Sequence, residues 1–294
     1  MLSTDSFLDY LQYERNYSEN TVARYREDIE QFCEFIQDKK NGGVAPEEAD
    51  ARVIRKWVIN LMKKYAASSV NRKLSSLHSY YRFLLRRGDV LVDPLRKVVR
   101  PKNKKTLPTF VREEDINRLL DEVDFGDDYK GCRDRMIILM FYATGIRLSE
   151  LIGLDDADVD MNASLIKVTG KRNKQRLIPF AAELKKELIN YVDKRNREVP
   201  NRMNAFFVRE DGRPLCATIV RNMVKQNLSK VTTVKKRSPH VLRHSFATAM
   251  LNNQAELGAI KELLGHESLA TTEIYTHTTF EELKKVYNQA HPRA

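Results

Sequence analysis

The sequence predicts a mainly α protein with a small β-sheet, built as an N-terminal helical bundle followed by a larger α+β domain. Three observations support this. The first hundred residues carry apolar positions at helical spacing, with glycine-containing breaks between the runs. A basic, proline-interrupted stretch follows, in which six of the ten residues 96–105 are Lys or Arg. Beyond it, two short aliphatic runs flanking a polar segment interrupt an otherwise helical pattern. The length of 294 residues exceeds the roughly 100–200 residues of a single core, which also favours two domains.

Element by element, Phe7, Leu8 and Leu11 open a first apolar face. Ser18 is a candidate N-cap for a second helix in which Val22, Tyr25, Ile29, Phe32, Phe35 and Ile36 recur at helical spacing, with Asn41-Gly42-Gly43 as its end. A third helix is expected over 51–65 with Val53, Trp57, Val58 and Leu61 inward, and a fourth over 68–87, stopped by Gly88. Residues 1–100 form the bundle on this reading. Residues 101–106 are a basic linker and 107–294 the second domain. There, helices are expected over about 112–122 and 131–144. Leu165-Ile166-Lys167-Val168 and Arg176-Leu177-Ile178-Pro179, separated by Gly170-Lys171-Arg172-Asn173-Lys174, read as strand, turn and strand.

Composition narrows the function. The net charge is +11, and its distribution is uneven: residues 1–51 hold 5 Lys/Arg against 12 Asp/Glu, residues 52–105 hold 16 against 2. Such a swing suits either a phosphate-facing surface or a solvated basic face. No run approaches the ~18 apolar residues of a spanning helix. Met1–Tyr10 carries Asp5 and Asp9 and lacks the basic and apolar regions of a secretory signal, so no membrane association and a cytoplasmic location are expected. Cys33, Cys132 and Cys216 are far apart and lack C-x-x-C spacing, which argues against disulfides or zinc.

Taken singly, the polar strings have ordinary readings. His240 and Arg243 would share a helical face, Arg147 and Glu150 would make a structural ion pair, Lys171 sits on a basic hairpin, and His266 follows a helix-stopping glycine. In this order they form a set. A-T-G-I-R-L-S-E-L at 143–151, G-K-R-N-K-Q-R-L-I-P at 170–179, S-P-H-V-L-R-H-S-F-A-T at 238–248 and L-L-G-H-E-S-L-A-T-T-E-I-Y-T-H at 263–277 together resemble the active-site strings of the tyrosine recombinase (lambda-integrase) family. Arg147, Lys171, His240, Arg243, His266 and Tyr275 occupy the positions of that family's active-site residues. Of the 12 tyrosines, Tyr275 is singled out by its place in the last string, nine residues after His266; the rival Tyr287 falls in an expected C-terminal helix.

The resemblance implies an N-terminal core-binding domain, a catalytic domain and a metal- and ATP-independent DNA strand transferase with no cofactor. It also assigns roles. Two arginines fork onto the scissile phosphate as a lysine cannot, Lys171 matches the family's general acid, His240 fits proton transfer, His266 fits a phosphate hydrogen bond, and Tyr275 is the nucleophile. Arg72, Lys73, Arg100 and Lys102, in the basic segment, are the expected DNA contacts. The C-terminal sequence is similar to the tails of Xer-type recombinases. This implies double-stranded DNA with paired half-sites, a homo- or hetero-tetramer whose final helix docks into a neighbour, and a partner recombinase with the FtsK translocase; roles in chromosome dimer resolution and in mobile-element integration or inversion both fit. A type IB topoisomerase would use the same chemistry, and a non-catalytic DNA-binding regulator would keep the fold.

Overall fold

The computed structural model describes residues 2–41, 43–103, 109–170, 174–265 and 277–293. The chain divides into two compact units, Met1–Thr106 and Leu107–Ala294. In the first, α1 (Leu2–Asp9) runs into a π turn (Tyr10–Glu14), followed by α2 (Glu19–Gln37), α3 (Ala51–Met62) and α4 (Ala67–Arg87). Asp50 caps α3 by accepting from the N–H groups of Arg52 at 2.8 Å and Val53 at 3.0 Å. Ser18 stands at the cap of α2, but its hydroxyl pairs with that of Thr21 at 2.9 Å instead of with a backbone N–H. That helix stops at Gln37, ahead of the Asn-Gly-Gly break, where Asp38 turns extended. Gly88 ends α4 in the left-handed conformation.

The four helices bury Phe7, Phe32, Trp57, Leu77, Tyr80 and Tyr81, with Phe32 and Trp57 edge to face at 5.1 Å. One carboxylate lies among them. Asp28 of α2 is 1% exposed and accepts from three side chains of α4: Arg72 at 2.5 and 3.0 Å, Lys73 at 3.0 Å and the Ser76 hydroxyl at 2.7 Å. A buried carboxylate needs that many donors to offset its desolvation.

The second unit begins with α5 (Glu113–Asp121), α6 (Tyr129–Thr144) and the short α7 (Leu148–Ile152). A three-stranded antiparallel sheet follows, β1 (Val159–Asp160), β2 (Leu165–Thr169) and β3 (Gln175–Pro179), in that spatial order. The β2–β3 hairpin is in register from Leu165 opposite Pro179 to Thr169 opposite Gln175, which turns Ile166, Val168 and Ile178 into the core. Then come α8 (Ala182–Glu198), α9 (Ala217–Ser229), α10 (Pro239–Asn252), α11 (Leu257–Leu264) and α12 (His277–Ala290). From Met136 to Thr144 every residue of α6 is buried, so this helix is the axle of the unit, with α8 and α10 against it.

The last helix, expected from the sequence to dock into a neighbour, here packs on its own chain. Leu283, Tyr287 and Ala290 of α12 join Phe246 and Met250 of α10 and Ile260, Leu263 and Leu264 of α11. His291 seals the contact: its Nε2 donates to the Tyr142 carbonyl at 3.1 Å, its Nδ1 accepts from the Arg293 N–H at 3.0 Å, and its ring stacks on Tyr287. Burial pushes its pKa down to about 4. The unfolded chain takes up this proton below the ordinary histidine value of about 6.5, the folded protein only near 4, so stability should fall as pH drops through that interval, by about 3 kcal/mol in all. Urea unfolding of wild type and His291→Gln at pH 7 and pH 4.5 checks this. The variant should lose less stability on acidification than wild type, and equal losses would refute the assignment.

Candidate active site

Arg147, Arg243 and Arg176 converge on the C-terminal end of α11. The A-T-G-I-R-L-S-E-L string explains the first. Gly145 ends α6 with φ +59°, and a Cβ there would lie 2.7 Å from both Leu264 Cδ2 and Phe246 Cδ1, so both conformation and space demand glycine. The chain then turns, and Arg147 becomes the N-cap of α7, with Glu150 reaching back to accept its N–H at 2.8 Å. The Arg147 side chain donates through Nη1 to Glu150 Oε1 at 2.7 Å and through Nη2 to the Gly265 carbonyl at 2.6 Å.

Arg243 comes from the first turns of α10. It donates through Nη2 to the Leu264 carbonyl at 2.5 Å and through Nη1 to the carbonyl of Gly145. Arg176 of β3 takes the neighbouring carbonyl, Leu263, through Nε at 3.2 Å, and forks onto Glu150 with Nη1 at 2.6 Å and Nη2 at 2.9 Å. Three consecutive carbonyls at the negative end of α11, groups that a helix leaves without internal partners, are thus each held by a guanidinium.

Glu150 is wholly enclosed, accepting from Arg147 and Arg176 on both oxygens. Burial pushes its pKa up, but the bonds from Arg176 and Arg147 outweigh this and hold it below the usual value. Arg243 is pushed down to about 10, by burial first and then by the charges of Arg147 and Arg176. It therefore stays charged at neutral pH. Three guanidiniums around a single carboxylate leave the cluster with excess positive charge, an arrangement that suits an anionic ligand.

His240, three residues before Arg243 on α10, is exposed. Its pKa is lowered by partial desolvation and then by the charges of Arg243, His244, Arg221 and Arg147. At neutral pH it is consequently an unprotonated imidazole able to accept a proton. Lys171, His266 and Tyr275 lie outside the described residues. The chain reaches them directly from elements of the cluster: Lys171 precedes β3, and the segment with His266 and Tyr275 leaves from Gly265. Among the described residues, no group of three or more His, Cys, Asp and Glu side chains converges as metal ligands would, and no helix is long and apolar enough to cross a membrane.

In the first unit, Arg72 is half-exposed beside Asp28, whereas Lys73 is 8% exposed with its ammonium on that carboxylate. So held, Lys73 is not free to reach a backbone phosphate. Arg100 and Lys102 are exposed, Arg100 donating to the Ser75 hydroxyl at 3.1 Å. Their stretch of chain is strapped along α4 by Asn71, which donates to the Pro101 carbonyl at 2.8 Å.

The sequence strings single out Arg147 and Arg243 but not Arg176, which looks like one more charge on a basic hairpin. The signal available was its place on β3: facing pairs put it beside Val168, two residues from Gly170.

Residues 109–282 match the phage integrase family, and residues 4–88 match the N-terminal SAM-like domain of phage integrases. The chain is 38% identical to tyrosine recombinase XerC of Chlorobaculum tepidum, over 98% of this chain and 94% of that protein. It is 39% identical to tyrosine recombinase XerC of Lactobacillus delbrueckii subsp. bulgaricus over the full length of both. Among solved structures, the XerH site-specific recombinase bound to its difH substrate before cleavage has a similar fold, with a TM-score of 0.70 at 21% identity, covering 95% of this chain and 83% of that one.

Proposed function

We propose, because the chain belongs to the phage integrase family as a Xer-type tyrosine recombinase, that it cuts and rejoins DNA at paired half-sites through Tyr275. The phenolic oxygen attacks the scissile phosphorus, a 3′-phosphotyrosine bond forms, and the 5′-oxygen leaves with a proton from Lys171. His240, neutral at working pH, takes the tyrosine proton, and His266 donates to a non-bridging oxygen. Arg147 and Arg243 stabilise the charge that develops on the phosphate. Reversal with a new 5′-hydroxyl as nucleophile rejoins the strand, so neither ATP nor a cofactor is needed.

The observation that best supports this reading is the use made of the arginine pair. Among the described residues, Arg147 and Arg243 each donate two of five N–H groups to protein acceptors, which orients the guanidiniums and leaves donors for a phosphate. The direct test traps protein on a nicked suicide duplex in the presence of chelator and maps the DNA-linked peptide. Linkage at Tyr275 is expected; linkage elsewhere, or a need for added magnesium, would overturn the mechanism. Relaxation of supercoils without exchange between two sites would reassign the chain to topoisomerase-like chemistry.

DNA contact by the first unit belongs to the same proposal, with Arg72, Arg100 and Lys102 meeting phosphates and Lys73 acting through Asp28 to hold the helix that presents them. Replacing Arg100 and Lys102 by alanine should weaken binding across DNA sequences and flatten the slope of log affinity against log salt by about 1 for each phosphate no longer neutralised. Unchanged affinity and slope would remove this surface. The assembly proposed is a tetramer on two duplexes, with itself or with a partner recombinase, acting in the cytoplasm in chromosome dimer resolution under an FtsK-type translocase. In that assembly, α12 would exchange its present packing for a neighbour's.

A further inference from the structure

We infer that Arg176 is a positioning residue for strand cleavage, locking β3 and the end of α11 to Glu150 beside Arg147, at the two points of the chain next to which the sequence carries Lys171 and Tyr275. The inference rests on the roles proposed above for those two residues. Arg176 is anchored on β3, and its guanidinium spends all three nitrogens on protein acceptors: both Glu150 oxygens and the Leu263 carbonyl. Its side chain is only 10% exposed. It therefore joins three parts of the chain that sequence separates widely: the helix start holding Arg147, the strand following Lys171, and the helix end from which the His266–Tyr275 segment departs.

Close approach reinforces the lock. A Cβ at Gly265 would lie 3.0 Å from Arg176 Cδ and 3.1 Å from its Nε, so the chain leaves α11 pressed against this guanidinium, with φ +63° at the exit. Charge alone does not make such a junction. A lysine at 176 would keep the positive charge but supply a point donor where a planar fork spans a carboxylate and a carbonyl at once. Positioning errors of about 1 Å at a reacting centre cost on the order of 100-fold in rate.

The test measures single-turnover covalent complex formation at saturating DNA for wild type, Arg176→Lys and Arg176→Gln. An ordinary suicide duplex is compared with one whose leaving 5′-oxygen is replaced by sulfur, which needs no general acid. Expected is a loss of about 100-fold with both variants on the ordinary duplex at unchanged DNA affinity, measured at a temperature where each is folded, because taking the guanidinium from the enclosed Glu150 also lowers Tm. Part of the loss should return on the sulfur substrate, because cleavage then no longer depends on the general acid proposed just ahead of β3. Wild-type cleavage by folded Arg176→Lys would overturn the inference, as would a loss accounted for by weakened DNA affinity or by the unfolded fraction at the assay temperature. Lys171→Ala, run in parallel, tests the underlying reading separately: if sulfur fails to rescue it, the acid role of Lys171 falls, while the ordinary duplex still decides on Arg176.

Discussion

A Tyr275→Phe protein should bind recombination-site DNA with wild-type affinity and form no covalent complex. The substitution removes one oxygen and leaves the ring, so on the mechanism proposed above it removes the nucleophile and leaves the phosphate contacts of the arginines in place. A phenol with an ordinary pKa near 10 becomes a competent nucleophile at neutral pH only beside a proton acceptor and stabilising charge. On the proposed mechanism, His240 and the arginine cluster are those groups. The parallel Tyr287→Phe protein should cleave normally. Tyr287 is fully buried between α10 and α11, stacked on His291, and burial pushes its phenol further above the ordinary value, which is the opposite of activation. Gel separation of covalent complexes with labelled suicide duplex decides both cases, and a complex formed by Tyr275→Phe would end the assignment.

Arg243→Ala should lower the cleavage rate by roughly 100- to 1000-fold, the usual cost of losing a preorganised charge-stabilising donor. Arg243→Lys should recover little of it. The guanidinium bridges the carbonyls of Gly145 and Leu264, and this bridge aims its remaining donors; an ammonium cannot make two such bonds and still present a fork to the phosphate. Alanine also strands two buried carbonyls and lowers Tm, so rates are best compared at a temperature where both variants are folded. A lysine variant with wild-type rate would show that net charge, not geometry, stabilises the transition state.

Much of the fold is legible in the sequence because its signals are local. The Gly88 stop, the pairing of the strands on either side of residues 170–174 and the helix ending at Thr144 each depend on a few neighbouring residues. The axle helix α6 shows itself by its apolar run and its glycine, although a helix buried on all sides has no polar face to confirm the period. What escapes is set by distant partners. Lys73 reads as one cation in a basic helix, and only the approach of Asp28 from another helix turns it inward. Arg176 reads as hairpin charge until Glu150 and the end of α11 close on it. The arginine pair can be named from its strings, but not the backbone carbonyls it grips, since carbonyls leave no mark in a sequence.

That grip on backbone atoms sets which positions are free to drift. The α11 end offers the arginines its main chain, so the residues there can change side chain without changing what is held: at Leu263 and Leu264 only packing constrains the choice, and other aliphatics of similar volume should serve. Gly265 is the exception, pressed against Arg176. A saturation library over 263–265 scored for recombination should therefore look permissive at two positions and closed at the third, while the same library at 147, 150, 176 and 243 should reject even its nearest chemical relatives.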